Sequence, residues 1–167
     1  MALEPSKSTK VVITGIGLTT PLGPDTATTW QGLIAGRSGI TAAPASLGLG
    51  DYPVTSIGLV TGEQPLLASV LPAKFHARTD RFIHLALIAG HEAMRDAGLS
   101  ATLPADRTRC GVYVGVGIGG LPSIADAVTT CREKSLKHLS PLTIPKLISN
   151  LAPAWLAMQF DLQGPTT

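Results

Sequence analysis

Gly111-Val-Tyr-Val-Gly-Val-Gly-Ile-Gly-Gly120 is the stretch on which the reading of this chain turns. A β-branched run with one tyrosine ends in four glycines packed into the six residues 115–120, and a helix-like segment follows. Glycine admits close approach of backbone and ligand and tolerates positive φ, so the pattern predicts a strand running into a site. By itself the segment leaves open what the site holds.

Downstream of it, Leu121 to about Glu133 predicts a helix, Ser140-Pro141 begins a short one, and Asn150 caps a last one with Pro153 in its first turn. That helix ends near Gln163-Gly164-Pro165. Upstream, Asp106 to Arg109 lead into the glycine strand. Before them the clearest helix runs from about Thr79 to Ala97, where Phe82, Leu85, Ala86, Ala89, Ala93 and Ala97 repeat at helical spacing and Gly98 stops it. Its small residues admit another element at close range, which predicts a sandwiched helix.

At the start, Lys10-Val-Val-Ile-Thr14 predicts a short buried strand, and Gly15-Ile-Gly17 turns the chain. Asp25 caps a helix with Trp30, Leu33 and Ile34 on one face, ending at Gly36. Residues 42–53 read as a surface connection, Ile57–Thr61 as a short strand and Pro65–Leu71 as a helical turn or two. Strands alternating with helices predict an α/β chain with a largely parallel, buried sheet.

The 167 residues are 44% hydrophobic and only 14% charged, an apolar balance that implies burial against more than the chain itself supplies. A net charge of +2 with scattered basic residues and few aromatics argues against nucleic acid. Cys110 and Cys131 are too few for a disulfide framework and read as reduced cysteines without a catalytic role. No signal peptide and no apolar run of about 20 residues is visible, so a soluble, cytoplasmic protein without membrane partners is expected.

Gly115-x-Gly117-x-x-Gly120 also spells the dinucleotide fingerprint, with Gly15-Ile-Gly17 as a weaker echo. That chemistry needs an acid about 20 residues on, at the end of the next strand, to hold the ribose. Asp126 and Glu133 instead fall inside the predicted helix, and Asp25 at a cap. An NAD(P)-binding α/β module stands as one alternative, glycines that merely admit strand–helix packing as another. His84 and His91 share a helix face, but no third metal ligand lies at a fitting spacing; they read as hydrogen-bonded histidines. Glu92 and Asp96, four apart, read as a solvated helix face.

Several segments together resemble the β-ketoacyl synthases of the thiolase-like superfamily, most closely the 3-oxoacyl-acyl-carrier-protein synthase II branch. They are Val11-Val-Ile-Thr-Gly-Ile-Gly17, Thr29-Trp-Gln-Gly-Leu-Ile-Ala-Gly-Arg-Ser-Gly-Ile40, Thr79-Asp-Arg-Phe82, Ala93-Met-Arg-Asp-Ala-Gly98, Gly115-Val-Gly-Ile-Gly-Gly120, Ser140-Pro141, Asn150 and Gly164-Pro165. The likeness covers residues 10–167 apart from 41–57, following a flexible start over 1–9. It implies the first half of a layered α-β-α-β-α fold.

The resemblance also implies an acyltransferase of fatty-acid biosynthesis that performs a decarboxylating Claisen condensation of acyl and malonyl thioesters. In the family the cysteine nucleophile sits one short strand beyond Gly-Pro, so it is expected past Thr167 and the 167 residues alone are expected to be inactive. No cofactor is implied beyond the phosphopantetheine arm of an acyl carrier protein. Ile118, flanked by Gly117 and Gly119, matches the position that lines and gates the acyl pocket. Thr143 matches a residue reaching across a homodimer seam. Lys74, Arg78 and Lys137 correspond to basic positions that meet the carrier protein. A non-catalytic, chain-length-factor-like polyketide subunit is the alternative within the same fold. This half alone is expected to leave apolar surface open.

Overall fold

The structure, a computed structural model, describes residues 10–50, 52–99 and 106–167. The expected flexible start over 1–9 lies outside them. Seven helices follow in order among the described residues: α1 (Thr26–Ile34), α2 (Gln64–Val70), α3 (Ala73–His76), α4 (Arg81–Asp96), α5 (Leu121–Glu133), α6 (Thr143–Leu147) and α7 (Leu151–Phe160). Two short strands, β1 (Thr41–Ala42) and β2 (Ser56–Ile57), pair antiparallel with Thr41 opposite Ile57.

The core is helical. Leu67 and Leu71 around α2, Ile83, Leu87 and Ile88 on α4, and Ala152, Leu156 and Phe160 on α7 close one apolar cluster. α4 is its axis, packed on α2 and α7. Gly90 sets the α4–α7 distance, because a Cβ there would run into the Leu156 side chain.

The opposite face of α4 takes the incoming chain, as its alanines lead one to expect. Cβ atoms at Gly15 and Gly17 would strike the α4 backbone, 2.6 Å from the Ala97 nitrogen and 2.7 Å from the Ala93 nitrogen. Only glycine allows that approach. Glu92 and Asp96 then fasten the segment: Ile16 N–H donates to Asp96 Oδ2, Leu18 N–H to Glu92 Oε2, and Thr26 N–H, in the first turn of α1, to Glu92 Oε1, each at 2.9 Å. These acids are thus clamps on loop backbone. Glu92 is half-buried in this role, whereas Asp96 remains exposed, as expected of a solvated face.

The strand expectations change most. Residues 10–14 take no regular secondary structure: Val11, Val12 and Ile13 are exposed and no ladder partner stands beside them among the described residues. Along 111–116 Val112 and Val114 pack on the helical core while Tyr113 is 69% exposed. That run forms one parallel bridge, Val112 with Thr166, rather than a buried sheet. A strand is fixed by its neighbours' backbone more than by its own composition, and here one neighbour is present. Ile57–Thr61 shrinks to Ser56–Ile57 for the same reason, with Ala42 as part of its partner.

Helix limits follow the sequence closely. Asp25 caps α1 by accepting Thr28 N–H at 2.7 Å, and Gly36 follows at φ 64°. α7 starts after Asn150, whose side chain makes no capping bond. It stops at Phe160, where Asp161 adopts left-handed φ, short of the expected Gln163-Gly164-Pro165. No helix among the described residues is long and apolar enough to cross a membrane.

Candidate functional site

The glycine stretch divides into an open half and a welded half. Cβ atoms placed at Gly115 or Gly117 would meet nothing within 4 Å. Gly119, at φ 89°, and Gly120 press instead on the end of α6. The Gly120 N–H donates to the Leu147 carbonyl at 3.1 Å, and a Cβ there would stand 2.6 Å from the Lys146 carbonyl and 2.8 Å from Asp80 Oδ2. Between them Ile118 projects, 65% exposed. The bend is therefore a ledge packed on α6 that carries one bulky, exposed side chain.

Asp80 builds that ledge. It is buried, and its Oδ1 accepts from Arg81 N–H at the start of α4. Its Oδ2 accepts from the Ser123 N–H at 3.2 Å and the Ser123 hydroxyl at 2.6 Å, in the first turn of α5. A dinucleotide pyrophosphate would need this same helix N-terminus. A carboxylate of the chain already fills it, Gly15 and Gly17 are used up against α4, and of the second fingerprint Gly120 is packed while Gly115 and Gly117 face open space.

What fixes the site's direction is the chain's last segment. Val112 N–H donates to the Pro165 carbonyl at 2.9 Å, Thr167 N–H to the Val112 carbonyl at 3.0 Å, and Val114 N–H to the Thr167 carbonyl at 3.0 Å. Thr167 thus runs parallel to the glycine strand, just short of its bend. Just before it, Arg107 pairs with Asp161, and Gln163 N–H donates to the Arg107 carbonyl at 2.9 Å.

With this geometry set out, a family model described as beta-ketoacyl synthase, N-terminal domain, matches residues 8–167. The chain belongs to the beta-ketoacyl synthase family. A 3-oxoacyl-[acyl-carrier-protein] synthase 2 from Coxiella burnetii is 35% identical over 159 residues, 93% of this chain and 37% of the relative. One from Synechocystis is 37% identical over 160 residues, 93% of this chain and 36% of the relative. The chain thus spans little more than a third of the curated relatives it matches. Among solved structures, the ishigamide ketosynthase/chain length factor aligns at TM-score 0.76 and 29% identity, over 93% of this chain and 42% of the other. A beta-ketoacyl synthase from Burkholderia phymatum aligns at TM-score 0.76 and 22% identity, over 92% and 37%, which speaks to fold alone. The fold is the first part of the thiolase-like layered architecture.

Of the residues singled out from the sequence, Gly117, Ile118 and Gly119 sit together on the ledge. Thr143 opens α6, whose far end the ledge touches, and lines a separate polar hollow of about 160 Å³ with Ser123, Asp126, His138 and Lys146. Within one chain Ile118 and Thr143 do not share that hollow. Lys74 and Arg78 do come together: Lys74 Nζ lies 5.0 Å and Arg78 Cζ 5.9 Å from the centroid of the Phe75 ring, which packs in a T-shape with Trp155 at 5.3 Å between centroids. Lys137 stands apart, exposed between α5 and α6.

The histidines have separate partners. His91 Nε2 is 2.6 Å from Gln159 Oε1 and its ring stacks on Phe160. His84 Nε2 is 2.8 Å from Thr79 Oγ1, and burial, then His76, hold its pKa below the ordinary histidine value. Burial would raise the Glu63 carboxyl, but the Arg81 guanidinium, donating from Nε and Nη2 to the one oxygen Oε1, outweighs it and holds that carboxyl below its usual range.

Asp80 and the Glu92–Asp96 clamp were not recognised from sequence as functional supports. A signal existed for Asp80, a small acid just ahead of a long periodic helix. For the clamp there was none, because its partners are loop amides far away in sequence.

Proposed function

We propose that this synthase chain is the amino-terminal part of a 3-oxoacyl-acyl-carrier-protein synthase of fatty-acid synthesis. The observation that carries the reading is the hydrogen bond from Val114 to Thr167. It lays the chain leaving Gly164-Pro165 alongside the glycine ledge, so a nucleophile one short strand further on would face Ile118. In the reaction an acyl group passes to that cysteine. Malonyl thioester then loses carbon dioxide, and the resulting carbanion attacks the acyl thioester carbon and expels the cysteine thiolate.

In this reading Gly117 and Gly119 shape the wall of the acyl tunnel and Ile118 gates it. Thr143 serves the tunnel of a second copy across a homodimer seam. Lys74, Arg78 and Lys137 meet an acidic acyl carrier protein, which delivers its substrates on a phosphopantetheine arm, and no resident cofactor takes part. Sequencing the reading frame past codon 167 and assaying its product for malonyl-dependent carbon dioxide release tests the proposal. Condensation that vanishes when the first cysteine beyond Pro165 is changed to serine is the expected result. An intact cysteine with no condensation would overturn it.

A second reading is favoured by the ishigamide ketosynthase/chain length factor neighbour. A chain-length-factor-like subunit keeps the fold and lacks the nucleophile; a frame without that cysteine would select it.

A further inference from the structure

We propose that Asp80 is a positioning residue for acyl-chain selection: with α6 it fixes the glycine bend that carries Ile118, and so sets which chain lengths the tunnel accepts. The proposal rests on the reading of Ile118 as the gate of that tunnel.

The chain ahead of Ile118 gives it little hold. Val114 N–H, on the Thr167 carbonyl, is the last bonded amide before the bend, and no backbone hydrogen bond reaches residues 115–118 among the described residues. Gly115 and Gly117 face open space. What places Ile118 therefore comes directly after it. A Cβ at Gly119 would run into the Leu147 carbonyl, and one at Gly120 would stand 2.8 Å from both Asp80 Oδ2 and the Leu147 Cα.

The helix leaving the bend depends on Asp80 as well. In the first turn of α5, Leu121 N–H turns back to the Gly119 carbonyl at 2.9 Å, and Ile124 N–H reaches the Gly120 carbonyl at 3.0 Å. Pro122 has no N–H to offer. Ser123 is thus the one amide of that turn satisfied from outside the bend and its helix, and its acceptor is Asp80, buried at the start of α4. The bend is in this way referenced to the axis of the core.

The chemistry of the acceptor matters. Oδ1 accepts from Arg81 N–H while Oδ2 accepts from the amide and the hydroxyl of Ser123, so both oxygens are needed at once. The Arg81 guanidinium is engaged by Glu63 and the Val60 carbonyl. A side-chain amide of the same shape accepts on one oxygen only and turns its NH2 against a donor on the other side. Asp80→Asn therefore keeps the volume and removes the two-sided acceptor.

The enzyme expressed from the complete reading frame tests this, with hexanoyl, decanoyl and hexadecanoyl carrier protein as acyl donors and malonyl carrier protein as extender. Asp80→Asn should narrow the ratio of kcat/KM between best and worst chain length about tenfold. It should also move the Ile118 methyl resonance while that of Ile88 stays. Ser123→Ala, which keeps the amide bond, should narrow the ratio less. Asp80→Asn combined with Ile118→Ala should discriminate no worse than Ile118→Ala alone, because both act at one side chain. A merely structural acid would instead lower kcat/KM in proportion at every length and add to Ile118→Ala; that result, or an unmoved Ile118 methyl, overturns the proposal. Should Asp80→Asn fold poorly, the same comparison with Ser123→Ala decides. If Ile118→Ala leaves discrimination unchanged, the gate reading falls and the proposal with it. If Ile118→Ala changes discrimination and Asp80→Asn does not, the proposal alone falls.

Discussion

Asp80 and Ser123, from two different helices, share one carboxylate oxygen, which accepts both the amide and the hydroxyl of the serine. The other oxygen caps Asp80's own helix at Arg81. One buried acid thereby satisfies donors in the first turns of both α4 and α5, whose own preceding residue, Gly120, has no side chain to offer. The glycine ledge is held where these two helix starts meet.

Asp80→Ala should cost about 2–4 kcal/mol in urea unfolding, since two helix starts lose their acceptor inside a buried site. Ser123→Ala should cost only about 1 kcal/mol, as the backbone bond survives. Equal effects of the two would contradict a shared cap.

Glycines that look alike in sequence should separate sharply in stability. Gly17→Ala forces a Cβ into the α4 backbone and should cost about 2–3 kcal/mol or block folding. Gly115→Ala meets open space and should stay within about 0.5 kcal/mol. Thermal melts of the pair decide it.

Glu92→Gln should cost about 1–2 kcal/mol, because two amides lose a charged acceptor. Exposed Asp96→Asn should cost less. Faster exchange at Leu18 and Thr26 in the first variant, with α7 unaffected, is the accompanying signature.

Acid should erode stability in two windows. His84 has its folded pKa lowered, so its contribution is complete above the ordinary value of 6.5 and is lost as pH falls through the folded value. Glu63 and Asp25 also have lowered folded values, so theirs is complete above 4.5 and 3.8 respectively and is lost further down. Arg81→Ala should remove the Glu63 part of the lower window. At pH 7 it should cost about 1–3 kcal/mol, less than a fully buried pair because the Arg81 side chain is 43% exposed. Urea titrations across pH measure both windows.

Lys74→Glu and Arg78→Glu should slow association with an acidic carrier protein about tenfold or more, an effect that shrinks with added salt. Stopped-flow mixing at two ionic strengths checks it; a salt-independent loss would point to misfolding around Phe75.

Local signals carried well from sequence to structure. Asp25 and Gly36 bound α1, the range Leu121–Glu133 coincides with α5, and the alanines of α4 announced a close neighbour. Each depends on residues within a turn or two. What failed depends on distant backbone. Val11 to Ile13 have strand composition but no ladder beside them among the described residues, and Glu92 and Asp96 are polar at helical spacing whether they face water or loop amides. The glycine stretch was legible as a bend entering a helix; the carboxylate that fills that helix start was not, because Ser123 lies far from Asp80 in sequence.

The pairing of Val112 with Thr166 bears on how this polypeptide is made. On the ribosome, all of α5, α6 and α7 must emerge before the glycine strand meets its partner. Until then Gly111–Val116 is a nascent edge with unsatisfied backbone and a valine face that only the α4 side of the core can shelter. Slow translation just before Gly164 would lengthen that exposure, so a chaperone that holds extended apolar segments should capture nascent chains arrested there more readily than released ones.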